Sequence, residues 1–148
     1  MQRVKSSGSA PGVYLIQLAF DAATDEWCTF QIPSMPADYA SSPVAKVYYK
    51  AASATSGDVV WDVRVCAVSD GDSTDIDAEV FDSANTATVT VPGTAGHIDV
   101  ASITLTNADS LAAGDFVVVR LARNGSSGSD TATGDAELVG MAITYTTA

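Results

Sequence analysis

The sequence predicts an all-β chain, and three observations carry that expectation. Asp58 to Val68 (DVVWDVRVCAV) places Val59, Trp61, Val63, Val65 and Ala67 at every second position, with Asp62 and Arg64 between them. A period of two turns one face to a core and the other to water, as in a half-buried strand; a helix would scatter the same positions round its circumference. Other apolar segments recur at spacings of about ten to twenty residues, separated by Gly, Pro, Asp and Ser, and no stretch carries an amphipathic helical pattern. Trp61, at the middle of the most regular segment, has the largest apolar surface to bury, so neighbouring strands should pack around it.

In chain order, residues 1 to 12 (MQRVKSSGSAPG) lack apolar periodicity and carry Arg3 and Lys5. They read as a flexible N-terminal arm, either frayed or ordering on a neighbouring subunit. Residues 13 to 148 form a single domain. Its first strand is Val13 to Phe20 (VYLIQLAF), ended by a turn over Asp21 to Asp25, and its second is Glu26 to Ile32. Pro33, Pro36 and Pro43 bracket a loop, since proline cannot donate to a central ladder. Val44 to Lys50 alternates, with Lys46, Tyr48 and Lys50 on one face and Ala45, Val47 and Tyr49 on the other.

After the Trp61 strand lies the most acidic loop, Ser69 to Asp77 (SDGDSTDID). Thr86 to Val91 stops at the turn signal Pro92–Gly93. His97 to Leu105 follows; Ile98 and Val100 are out of phase with Ile103 and Leu105, which predicts a bulge near Ala101–Ser102. Asn107 to Gly114 has room for one helical turn ending at Gly114. Asp115 to Arg123 and Ala136 to Thr146 are the last strands, and the Gly/Ser-rich loop Asn124 to Asp135 between them reads as too polar to pack.

Eight antiparallel strands in two facing sheets give a β-sandwich of jelly-roll type; an immunoglobulin-like sandwich would have seven or nine and a cysteine–tryptophan–cysteine signature. In a jelly roll the second and fourth strands flank the seventh. Cys28 and Cys66 would then stand two strand spacings apart, roughly 9 to 10 Å, beyond disulfide reach. Free thiols also suit a chain with no signal-peptide pattern and no membrane-spanning run, expected to fold in a cytoplasm.

At 148 residues the chain can bury about two-thirds of its unfolded surface. Seven Lys and Arg against 18 Asp and Glu, a net charge of −11, argue against nucleic acid as partner, which needs clustered cations. Catalytic chemistry finds no foothold. His97 is the one histidine and sits at a strand mouth, no Gly-x-Ser-x-Gly elbow occurs, and no Cys/His cluster has zinc spacing. No catalytic residues, cofactor or metal are assigned, and the chain is not expected to be an enzyme. Asp70, Asp72, Asp75 and Asp77 offer hard oxygens to calcium, but without the glycine and closing glutamate of an EF-hand loop they read first as a solvated connection.

Four segments carry a family resemblance: Phe20 to Glu26 (FDAATDE), Ala52 to Trp61 (ASATSGDVVW), Thr90 to Gly96 (TVPGTAG) and Gly134 to Gly140 (GDAELVG). From Leu18 onward, about seven-eighths of its length, the chain resembles small virion structural proteins of tailed bacteriophages. The resemblance implies a jelly-roll module on a particle, often a homotrimer, assembled in the host cytoplasm. The leading expectation is a capsid decoration, or cement, protein bound to the major capsid protein of the phage head. The alternative is a tail-fibre or head-fibre tip that binds a host receptor or glycan, for which Trp27, Tyr39, Tyr48 and Tyr14 are the candidate contacts.

Overall fold

A computed structural model of the chain describes residues 1–5, 12–72 and 75–148. It is all-β, with strands β1 (Gln2–Lys5), β2 (Tyr14–Phe20), β3 (Asp25–Ile32), β4 (Tyr39–Ala51), β5 (Asp58–Val68), β6 (Asn85–Thr90), β7 (Ile98–Thr104), β8 (Phe116–Asn124) and β9 (Ala136–Thr147). All pairings are antiparallel. One sheet runs β1-β2-β9-β4-β7 and the other β3-β8-β5-β6. Their inner faces meet as a sandwich.

The core forms where period-two patterns from both sheets converge. Val59, Trp61, Val63 and Val65 of β5 face Ala45, Val47, Tyr49 and Ala51 of β4, and all are buried. Trp61 is fully enclosed, with Phe20 and Tyr49 edge-on to its ring at 5.4 and 5.5 Å between centroids. Its indole N–H meets no acceptor among the described residues. Tyr49 keeps its ring in the core while its hydroxyl donates to Asp99 at 3.2 Å.

Burial, reinforced by the Asp99 carboxylate, raises the Tyr49 phenol above its ordinary range, and burial alone pushes the Cys28 thiol up to about 11. Both groups are held in their neutral form in the folded chain and ionise more readily when unfolded. Their stabilisation is therefore whole below the unfolded values, about 8.5 for Cys and 10 for Tyr, and is lost as pH climbs toward the folded ones. Urea midpoints should be flat at neutral pH and fall above about pH 9, more steeply beyond 10. In Tyr49→Phe the steeper second fall should shrink, the raised Tyr39 and Tyr145 phenols supplying what remains.

Several local expectations are corrected. Gln2–Lys5, assigned to a flexible arm, pairs with β2 from Gln2↔Gln17 to Lys5↔Tyr14; residues 6–11 of that arm lie outside the described residues. Pro43 is not in a loop but inside β4, where the register shifts between Ser41 and Val44 and Ser42 takes a φ of 58°. Proline is tolerated at such an irregularity because no regular ladder bond is asked of it. The bulge expected near Ala101–Ser102 is absent, since β7 pairs with β4 without a shift. The phase change instead sends Ala101 and Ile103 into the core and leaves Ile98 59% and Val100 40% exposed. A register shift does occur on the other side of β4, where Tyr48↔Gly140 is followed by Tyr49↔Leu138 and Val139 is left over. Asn107 to Gly114 forms turns, not a helical turn, with Asp109 and Ser110 both at positive φ.

The Gly/Ser-rich loop also packs, against expectation. Arg123 is fully buried and uses every N–H of its guanidinium. Nε and Nη2 grip the two oxygens of Asp130 at 3.0 and 2.7 Å. The remaining donors reach the carbonyls of Phe20, Gly134 and Ala132 at 3.1, 2.8 and 2.9 Å. Asp130 in turn accepts from the Val60 amide, and the amides of Thr131 and Ala132 donate to the Asp58 carbonyl. The loop thus continues the partnership with β5 beyond the end of β8. Gly57 lies beneath it at a φ of +92°, where a Cβ would stand 2.8 Å from the Thr131 carbonyl oxygen.

Candidate functional site

Strand register assembles a concentration of charge on one sheet face. On the outer surface of the four-stranded sheet, β3, β8 and β5 lie side by side, and odd–even alternation turns Trp27, Arg120, Ala122, Asp62 and Arg64 outward. Arg64 and Arg120 are direct cross-strand neighbours, and Trp27, Ala122 and Asp62 form the adjoining row. Ala122 is small among larger neighbours, so the surface dips. The resulting cavity of about 250 Å³ is lined by Asp25, Asp62, Arg64, Arg120, Ala122, Arg123 and Asn124.

The charges of this dish are unequally engaged. Asp25 accepts from the Ser126 amide, which holds its carboxyl below the usual range and so ionised, and Asp62 accepts from the Thr86 hydroxyl at 2.6 Å. The guanidinium groups are not so placed. Neither of the two ion pairs among the described residues, Lys50–Glu137 and Arg123–Asp130, includes Arg64 or Arg120. Like charges directly opposite on neighbouring strands repel. Arg120 rests on the Trp27 ring, 5.0 Å from guanidinium carbon to ring centre, and its Nε is buried without an acceptor among the described residues. Trp27 itself is 60% exposed. The arrangement can hold an anion and stack an apolar face.

Most other carboxylates have structural work. Asp21 accepts from the amides of Ala23 and Thr24, which lowers its pKa; Asp82 accepts from Asp109, and Asp109 from Ala67. Buried Asp115 accepts from Ser69 Oγ and the Ala112 amide. Much of the acidity therefore fixes turns.

The residues singled out from sequence scatter. His97 is exposed before β7, with no catalytic partner beside it among the described residues. Of the acidic loop, Asp72 accepts from the Ser69 amide and Asp75 from the Asp77 amide; Ser73 and Thr74 lie outside the described residues, and no three acidic or Cys/His side chains converge among those described. Cys28 and Cys66 flank β8 on opposite faces, opposite Leu121 and Val118, and both thiols are free. Among the aromatic candidates, Tyr39 is buried against Tyr145. Tyr14 lies under Arg3, 4.6 Å from ring centre to guanidinium carbon, and Tyr48 stands beside Val100 on the five-stranded sheet. Trp27 alone adjoins the dish, in register with Ala122 of its lining. Sequence reading missed Arg120 as its partner because 56 positions separate it from Arg64, and only register joins them.

A second exposed surface lies on the outer face of the five-stranded sheet, where Tyr48 and Val100 pair across β4 and β7 and Ile98 adjoins Lys50. Lys46 there donates to Ser102, and Lys50 pairs with Glu137. No family model matches the chain, and no characterised protein or solved structure matches it.

Proposed function

We propose that the chain is a structural module of a bacteriophage particle, a decoration protein that docks on the major capsid protein of the head and does so as a homotrimer. One observation carries the docking half of this reading: Ile98, Val100 and Tyr48 form an exposed apolar strip on the outer face of the five-stranded sheet. Contiguous exposed apolar patches are a mark of protein contact surfaces. The virion setting rests on the sequence resemblance. The strand order supports a jelly-roll winding, because setting β1 aside leaves β2-β9-β4-β7 facing β3-β8-β5-β6, the alternation that two nested Greek keys produce.

A trimer would present three such strips to a threefold site, and linked weak contacts multiply into a firm one. Purified protein mixed with undecorated heads should bind saturably and raise the temperature at which heads break, since a ligand of the assembled state alone stabilises that state. Val100→Lys should abolish both effects while leaving the melting point of the free protein within a few degrees. Failure of the unaltered protein to bind heads would end the proposal.

The dish around Arg64 and Arg120 favours a second reading, a recognition module at the tip of a head or tail fibre that binds a host receptor or glycan. An exposed indole beside polar groups with spare bonding capacity is the kind of surface on which sugars stack. Binding to a glycan array that disappears in Trp27→Ala would support it.

A further inference from the structure

We propose that the dish on the four-stranded sheet binds a single carboxylated sugar, a uronic- or sialic-type residue at the end of an acidic glycan. This rests on the recognition reading and gives it a ligand class. Arg64 and Arg120 stand opposite each other with no carboxylate paired to either among the described residues, in a chain that has 18 acidic residues against 7 basic ones. Arg123, by contrast, holds the Asp130 carboxylate, while Arg120 has only the face of Trp27 against it. An entering carboxylate would relieve the repulsion between the two guanidinium groups and accept charge-assisted bonds from both.

The rest of the dish selects among anions. Asp25 and Asp62 are ionised or hydrogen-bonded acceptors on its wall, with Asn124, the last residue of β8, in register opposite Asp25. A phosphate with nearly two charges would be repelled by them. A sugar brings one carboxylate for the arginines and several hydroxyls that donate to those oxygens. Trp27 pairs in register with Ala122 of the cavity and is braced by Arg120, so its exposed ring offers a fixed platform for the C–H face of a pyranose. At about 250 Å³ the cavity falls just below the roughly 300–1,000 Å³ of drug-sized sites, the scale of one sugar ring. A poly-acidic peptide would bring further charges against a body of net charge −11.

Tryptophan emission supplies the readout, because Trp27 is exposed and Trp61 is fully enclosed. The full chain is titrated with sialyl-lactose, with a glucuronate-terminated oligosaccharide, with the carboxyl-reduced form of each, with inorganic phosphate and with hexaglutamate. Saturable binding of one acidic sugar is expected, weakened about tenfold or more by reduction of its carboxyl group and to a similar degree by Arg64→Gln or Arg120→Gln. Should a variant fold poorly, the comparison of acid with reduced sugar on the unaltered protein decides. Equal binding of the reduced sugars would keep the recognition reading and overturn the acidic-sugar assignment. So would tighter binding of phosphate or hexaglutamate. No saturable binding of either acidic sugar overturns it as well.

Discussion

Arg123→Ala should lower unfolding free energy by about 3–5 kcal/mol, a large share of the roughly 5–15 kcal/mol that holds a domain together. The reason is what remains behind. Asp130 has no exposed side-chain surface, and its carboxylate would stay buried with only the Val60 amide and no countercharge. Three carbonyls, of Phe20, Ala132 and Gly134, would lose their donors at the same time. Urea denaturation should show the loss as a lowered midpoint. Exchange of the Thr131 and Ala132 amides, which tie the loop to Asp58, should accelerate more than exchange in β4. Replacing both partners, Arg123→Met with Asp130→Leu, should recover much of the loss, since an apolar pair of similar size leaves no orphaned charge. If the single variant melts like the parent, the guanidinium is not the clasp described above.

Trp61→Ala should cost about 3–5 kcal/mol, because the cavity it leaves lies between Phe20 and Tyr49 at the meeting of both sheets and cannot collapse without moving backbone. Trp61→Phe should cost much less than the lost ring area implies. The indole N–H is buried with no acceptor among the described residues, and removing an unpaired donor returns part of its desolvation cost, about 1–3 kcal/mol. The two substitutions, compared by urea midpoint at constant m-value, separate packing from polarity at one position. Equal costs for Ala and Phe would show that the ring's bulk is not what the core requires.

Period-two alternation made the strand segments legible, and Trp61 was recognisable as their centre because no other segment pairs so large a side chain with so regular a pattern. What escaped the sequence are features decided by partners far along the chain. Ile98 and Val100 are apolar but out of phase with Ile103 and Leu105, so alternation alone asked for a bulge between them; the structure needs none, because Ile98 and Val100 face outward. The Asn124–Asp135 loop is polar by composition, yet Asp130 is interior because Arg123 neutralises it. Gln2–Lys5 shows no periodicity within four residues and gains its strand only from β2. The dish was half visible. Trp27 was a candidate by chemistry and Arg64 was read as facing outward, but their meeting through Arg120 depends on register, which no local pattern encodes.

The position of β9 has a consequence for how the chain is made. It is late in sequence yet lies between β2 and β4, bonded to both. While the ribosome is still extending the chain, those two strands have an empty lane between them and cannot close it with each other's help. Assembly of that layer must therefore wait until Ala136–Thr147 has left the exit tunnel, and the apolar faces of β2 and β4 stay uncovered until then. Shielding of those faces during that interval would then bear on how much of the chain reaches the folded state.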